Sequence, residues 1–228
     1  MSIRLGLLVC VVVGLTSALY AHASDVLDRI VATVNGHIIL QSDWEDALRF
    51  EACESARPAG DLSTDQRKAA LDHLIDQELL REQMHAADFK HSSDEEIGQR
   101  IQQIRQQYPE AASDAGWQAV LARCGLTQTE LNQNVGLELD LMRLVDARLR
   151  PTVHIDSKSI ESYYNQEFLP QLRQTGAQDV SLAEVTPKIK ELLTQQKVNE
   201  LMLAWLQDLR SESEIRTEPS SLSRGDPQ

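Results

Sequence analysis

Glycine and proline are scarce, with 10 and 7 among 228 residues, and folds made of many tight turns, such as sandwiches and propellers, need more of both. The phosphate-cradling and catalytic glycine motifs are missing too. No Gly-x-x-x-x-Gly-Lys-Ser/Thr, Gly-x-Gly-x-x-Gly, Gly-x-Ser-x-Gly or His-Glu-x-x-His occurs, so nucleotide-driven, hydrolase and zincin chemistry lack their minimum residues. Positive charge is in deficit: 22 Lys+Arg stand against 35 Asp+Glu, a formal net charge of −13. With no basic patch to offset this, a nucleic-acid backbone would repel the chain. Apolar runs stop well short of the about 20 residues that a membrane span requires. What is present, 42% hydrophobic and 25% charged residues with 4% aromatics, belongs to a soluble helical protein.

The amino-terminal segment reads as a signal rather than as fold. Arg4 precedes an apolar stretch from Leu5 to Leu15, and Ala21-His22-Ala23 follows, which predicts export and cleavage after Ala23. Of the three cysteines, Cys53 and Cys124 survive that cleavage. An even pair in an oxidising compartment is a candidate disulfide, with two solitary buried thiols as the alternative. Neither sits in Cys-x-x-Cys spacing or beside a histidine, so thiol catalysis has no support.

In the mature chain, two β-branched runs flank Asn35-Gly36, which predicts a hairpin on a type I′ turn. Ser/Thr-x-x-Glu/Gln caps at Ser42, Ser63, Ser93, Thr127 and Ser181 then announce helices, expected over 43–55, 64–89, 94–108, 114–123, 128–149, 157–169 and 182–211. One apolar stripe (Leu71, Leu74, Ile75, Leu79) and another (Leu131, Val135, Leu139, Met142, Val145, Leu149) read as core faces. In the last helix Val185, Ile189, Leu192 and Leu193 lie roughly opposite Val198, Leu201, Met202, Trp205 and Leu209, so its two halves must bury against different neighbours. The segment around Ile215 can return as a third strand beside the hairpin, because two strands alone are marginal in water. The tail over 217–228, with its low-complexity stretch from Pro219, is expected to be disordered. Glu82-x-x-His85 has the spacing of a di-iron ligand pair but lacks the second copy such a site needs. His73 between Asp72 and Asp76 reads as a solvated face. Neither a metal nor a cofactor is expected.

The run Asp28-Arg29-Ile30-Val31-Ala32-Thr33-Val34-Asn35-Gly36-His37-Ile38-Ile39-Leu40-Gln41-Ser42-Asp43 resembles the opening of the SurA amino-terminal domain family of periplasmic chaperones. Leu71 to Leu80, Ser93-Asp94-Glu95-Glu96-Ile97, Gly125 to Leu131, Tyr163-Tyr164 and Glu184-Val185-Thr186-Pro187-Lys188-Ile189 through Trp205-Leu206 resemble later segments in the same order. The resemblance implies a mainly α fold: a helical chaperone module over 24–216, with a small sheet formed by the hairpin and a carboxy-terminal strand, and a long terminal helix. It also implies a periplasmic, ATP-independent holdase for unfolded polypeptides, outer-membrane protein precursors among them, with no nucleic acid and no membrane insertion. Many relatives insert a parvulin-type prolyl isomerase domain before the terminal helix. Here only Leu169 to Ser181 separate Phe168 from Leu182, so no isomerase activity is expected. Tyr163, Tyr164 and Phe168 are candidates for client contact, since aromatics offer large contact area at low entropic cost; their alternative is packing onto the terminal helix. The alternative function is an envelope adaptor that binds one folded partner.

Overall fold

The computed structural model describes residues 28–56, 63–85, 89–176 and 178–218. The signal expected over residues 1–23 and the part of the expected disordered tail from Pro219 on lie outside them, whereas Thr217 and Glu218, also assigned to that tail, are held by pairing with Ala32 and by a hydrogen bond to the Val31 carbonyl.

The chain opens with β1 (Ile30–Val34) and β2 (His37–Leu40), paired antiparallel. Asn35 and Gly36 both take positive φ, 49° and 88°, the type I′ geometry that Asn-Gly adopts at low cost. The expected third strand, β3 (Ile215–Thr217), pairs antiparallel with the other side of β1, giving the order β2-β1-β3. The first described element therefore becomes the centre of the sheet, and the last one closes it. Asn35 fastens the closure: its N–H donates to the Glu214 carbonyl (2.9 Å), its Oδ1 accepts from the Glu214 N–H (2.9 Å), and its Nδ2 reaches Glu82 Oε2 (2.8 Å) and Ser213 Oγ (3.1 Å).

Eight α-helices are described: α1 (Gln41–Glu54), α2 (Thr64–His85), α3 (Asp94–Arg105), α4 (Asp114–Cys124), α5 (Gln128–Leu149), α6 (Ser157–Tyr163), α7 (Leu169–Gln174) and α8 (Leu182–Glu212). Three of the five expected caps form with reciprocal side-chain bonds, at Ser63/Gln66, Ser93/Glu96 and Thr127/Glu130. Two do not. The Ser42 hydroxyl and N–H are taken by Asp28, so α1 starts earlier and the Asp43 carboxylate accepts from the Leu40 N–H at 2.8 Å. Ser181 precedes α8 without a side-chain cap bond. The helix expected over 157–169 continues further, because a five-residue π-helical turn (Tyr164–Phe168) joins α6 to α7. An ion pair between Arg173 and Asp179 (2.6 Å) spans the return from α7 towards α8.

Four apolar clusters hold these elements together. The first packs Val31, Val34 and Ile39 of the sheet on Trp44, Leu48, Leu71, Ile75 and Leu79; the second joins α2, α5 and α8, and the third joins α3, α4 and α5. The fourth sets Ile160 against Val185 and Ile189. The two halves of α8 do face different neighbours: Val185 and Ile189 bury in the fourth cluster, Val198 and Leu206 in the second, and Leu209 touches both the first and the second. His73 is exposed as expected and the Asp72 side chain is half exposed, but Asp76 is more covered and engaged in an ion pair. Arg210 near the end of α8 donates to Asp76 Oδ1 (2.6 Å) and to the Asp72 carbonyl (2.8 Å), which ties α8 to α2.

A buried carboxylate pins the entry to α3. Asp140, 8% exposed on α5, accepts from the Ser92 N–H (2.6 Å) and lies 2.6 Å from His91 Nδ1. Burial pushes its pKa up, but these two partners more than offset that and hold it below the ordinary aspartate value. A depressed folded-state pKa contributes stability above the unfolded-state value, and that contribution disappears as pH falls through the folded one. Asp140→Ala should cost about 1–3 kcal/mol at neutral pH by leaving a donor unsatisfied, and the penalty should shrink in acid. Denaturation of both proteins at neutral and acidic pH checks this; an equal penalty at both would contradict it.

Candidate peptide-binding cleft

A cleft of about 1180 Å³ opens between the sheet, α1, α2, α5 and α8. Its walls are legible from helix periodicity. Successive turns of α5 place Glu130, Asn134, Leu137, Leu141 and Val145 along one side, and α8 supplies Val198, Met202 and Leu206 at the same 3–4 spacing. Phe50 and Ala47 of α1 and Leu74 of α2 add apolar surface. Met142 and Leu203, 50% and 60% exposed, stand at the margin. Met142 was expected in the core stripe of α5. Leu131, Val135, Val145 and Leu149 of that stripe are buried, but Leu141 and Leu144 take the place expected of Met142, because α5 is apolar around much of its circumference and the face against α2 and α8 wins.

The lining carries nine carboxylates against the guanidinium groups of Arg81 and Arg143. Several are tied to arginines. Glu78, 8% exposed, accepts from Arg81 at 3.0 Å and has His37 Nδ1 at 3.6 Å. Asp76 pairs with Arg210 and Asp146 with Arg150. At the α1 end, Arg100 bonds Glu54 and lies 3.5 Å from Glu138. One guanidinium between two carboxylates leaves the pair under-neutralised: burial and then the Glu54 charge raise the Glu138 pKa. Glu138 Oε2 is buried with no hydrogen-bond partner among the described residues. The cleft is thus an apolar trough with acidic walls.

Tyr163, Tyr164 and Phe168 are brought together, but elsewhere. All three pack on the fourth cluster, where the Tyr164 ring stacks on Phe168 with centroids 5.9 Å apart and the Tyr164 hydroxyl donates to the Val180 carbonyl at 2.6 Å. They remain half-buried on and beside the π-helical turn and do not line the cleft. Glu82 is occupied by Asn35, and no cluster of three or more His, Cys, Asp or Glu side chains able to hold a metal exists among the described residues. Cys53 and Cys124 are free thiols, and both residues lie beside the Tyr108 hydroxyl. Met142 and Leu203 were missed as exposed apolar positions. The signal was available in Leu201-Met202-Leu203, where three consecutive apolar residues cannot share one helical face.

No described helix is long and apolar enough to cross a membrane. The SurA-like N-terminal domain family matches residues 1–145. Chaperone SurA of Chromobacterium violaceum is 26% identical over 192 residues, covering 81% of this chain. The chain spans 42% of that relative's length.

Proposed function

The chain belongs to the SurA-like N-terminal domain family, and from that membership we propose that it is a periplasmic, ATP-independent holdase that binds unfolded polypeptides, outer-membrane protein precursors among them, without prolyl isomerase activity. The observation that carries this reading is the cleft, whose apolar floor and exposed Met142 and Leu203 rim offer many weak contacts to an extended chain. Holding needs surface alone, whereas isomerisation needs a pocket that favours the twisted amide over both ground states. The acidic walls favour segments in which lysine or arginine accompanies apolar residues. Tyr163, Tyr164 and Phe168 form a second, smaller contact surface in this proposal.

The double variant Met142→Glu/Leu203→Glu tests the site. Both side chains are at least half exposed, so the unfolding free energy should stay within about ±0.5 kcal/mol of wild type per site. Suppression of aggregation of unfolded outer-membrane proteins should fall several-fold. Full suppression by a stably folded double variant would remove the cleft as the client surface, and capture of one folded partner without suppression would favour an adaptor role. The cis/trans rate of a proline test peptide should stay at its uncatalysed tens to hundreds of seconds.

A further inference from the structure

Cys53 lies fully buried near the carboxy-terminal end of α1, and Cys124 is the last residue of α4. The fold brings both residues up to one side chain, that of Tyr108. Tyr108 marks the junction from a third direction: its hydroxyl donates to the Cys53 carbonyl at 2.5 Å and lies 4.0 Å from Cys124 Sγ. The end of α4 approaches α1 closely here. Gly125 follows Cys124 with φ of +69°, and a Cβ at that position would stand 3.0 Å from Cδ of Arg49 on α1. No third thiol or imidazole completes a metal site with the pair among the described residues.

We propose that Cys53 and Cys124 are a disulfide-forming pair that staples α1 to α4 beside the cleft. The co-reactant is a disulfide, either a small-molecule one or one on a thiol oxidoreductase. Cys124, the more accessible sulfur, attacks as the thiolate. One oxidant sulfur joins it as a mixed disulfide, and the other leaves as a thiolate that takes up a proton. Cys53 then loses its proton and attacks Cys124 Sγ, expelling the second oxidant thiolate. Two protein thiols are oxidised and one oxidant disulfide is reduced to two thiols. Burial, followed by the neighbouring Cys124, pushes the Cys53 thiol up to about 12. The second step is therefore the slow one and should accelerate with rising pH.

The staple acts on the candidate client surface. Phe50, Glu51 and Glu54, on the same turn of α1 as Cys53, line the cleft, and so does Leu126, two residues beyond Cys124. Oxidation fixes that wall, and reduction releases it. This consequence rests on the cleft reading, while the bond itself does not.

Incubating the purified full chain with glutathione disulfide, followed by peptide mapping without reduction, tests the pair independently of Cys10. The expected result is one linked peptide joining Cys53 to Cys124, a mass lower by two hydrogens and a thermal midpoint raised by roughly 10 °C, all reversed by dithiothreitol. In Cys53→Ser the mapping should instead find glutathione retained on Cys124; should that variant fail to fold, the pH dependence of wild-type bond formation gives the same information. Unmodified Cys53 beside glutathionylated Cys124 in the oxidised wild type, with no linked peptide, would overturn the proposal. None of these readouts depends on aggregation assays, so a failed holdase reading and a failed bond are told apart.

Discussion

Replacing Trp44 by alanine should cost about 3–5 kcal/mol, as large aromatic truncations in a packed core do. Trp44 is 1% exposed and sits where three elements meet: the sheet (Val31, Val34, Ile39), its own helix α1, and α2 through Leu71 and Ile75. Its indole Nε1 also donates to the Arg67 carbonyl at 3.0 Å, which fixes where the first turn of α2 passes. The cavity left by alanine would border the sheet on one side, and β1, held by a ladder on both edges, cannot slide inward to fill it. A drop of roughly 10 °C in the thermal midpoint is expected for a chain of this size. Trp44→Phe separates the two contributions: it keeps most of the packing and loses the indole bond, so it should cost only about 1–2 kcal/mol. Urea denaturation of the two variants reads both numbers, and a Trp44→Ala penalty under about 1 kcal/mol would mean that the first cluster is not the main core.

Ending the chain at Glu212 should destabilise the whole module, although it removes only one three-residue strand and the segment beyond it. The truncation deletes the β1–β3 ladder, the Glu218 N–H bond to the Val31 carbonyl at 3.0 Å, and every partner of Asn35 except Glu82. Each lost bond is worth about 1 kcal/mol net, so the sum is several kcal/mol. Ile215, half-buried against the first cluster, adds its own burial to the loss. The midpoint should fall by roughly 10 °C, with one cooperative transition retained. Asn35→Gly keeps the positive φ and removes only the side-chain bonds, so it should show a smaller fraction of the same effect. An unchanged midpoint after truncation would contradict a fold closed by β3.

The architecture was legible wherever a local rule acts alone. Asn35-Gly36 specifies its turn, and three reciprocal caps follow from Ser/Thr-x-x-Glu/Gln because cap and acceptor are only three residues apart. The opposed stripes of α8 followed from spacing within one helix. What escaped depends on distant partners. Ser42 fails as a cap because Asp28 takes its hydroxyl, and the pairing of Asp76 waits on Arg210 from the far end of the chain. The cleft escaped for the same reason. Met142 reads as core from its spacing and Leu203 falls in neither stripe of α8, and the packing of α5 and α8 against α2 decides which apolar residues are left over. Tyr163, Tyr164 and Phe168 were singled out by residue type, but residue type says nothing about where α8 will lie.

Placing the first described strand between the second and the last also dictates an order of events during synthesis. β1 emerges from the ribosome early, gains β2 within a few residues, and then has an open edge while roughly 180 more residues are made. Closing a loop of that length is an entropic burden that grows only slowly with length, but pairing across it raises the share of distant contacts, and such contacts slow folding. Until Ile215 to Thr217 arrive, an apolar β-ribbon with both edges unpaired is the kind of surface that pairs with other chains. The last described strand thus covers the edge that the first leaves open throughout synthesis.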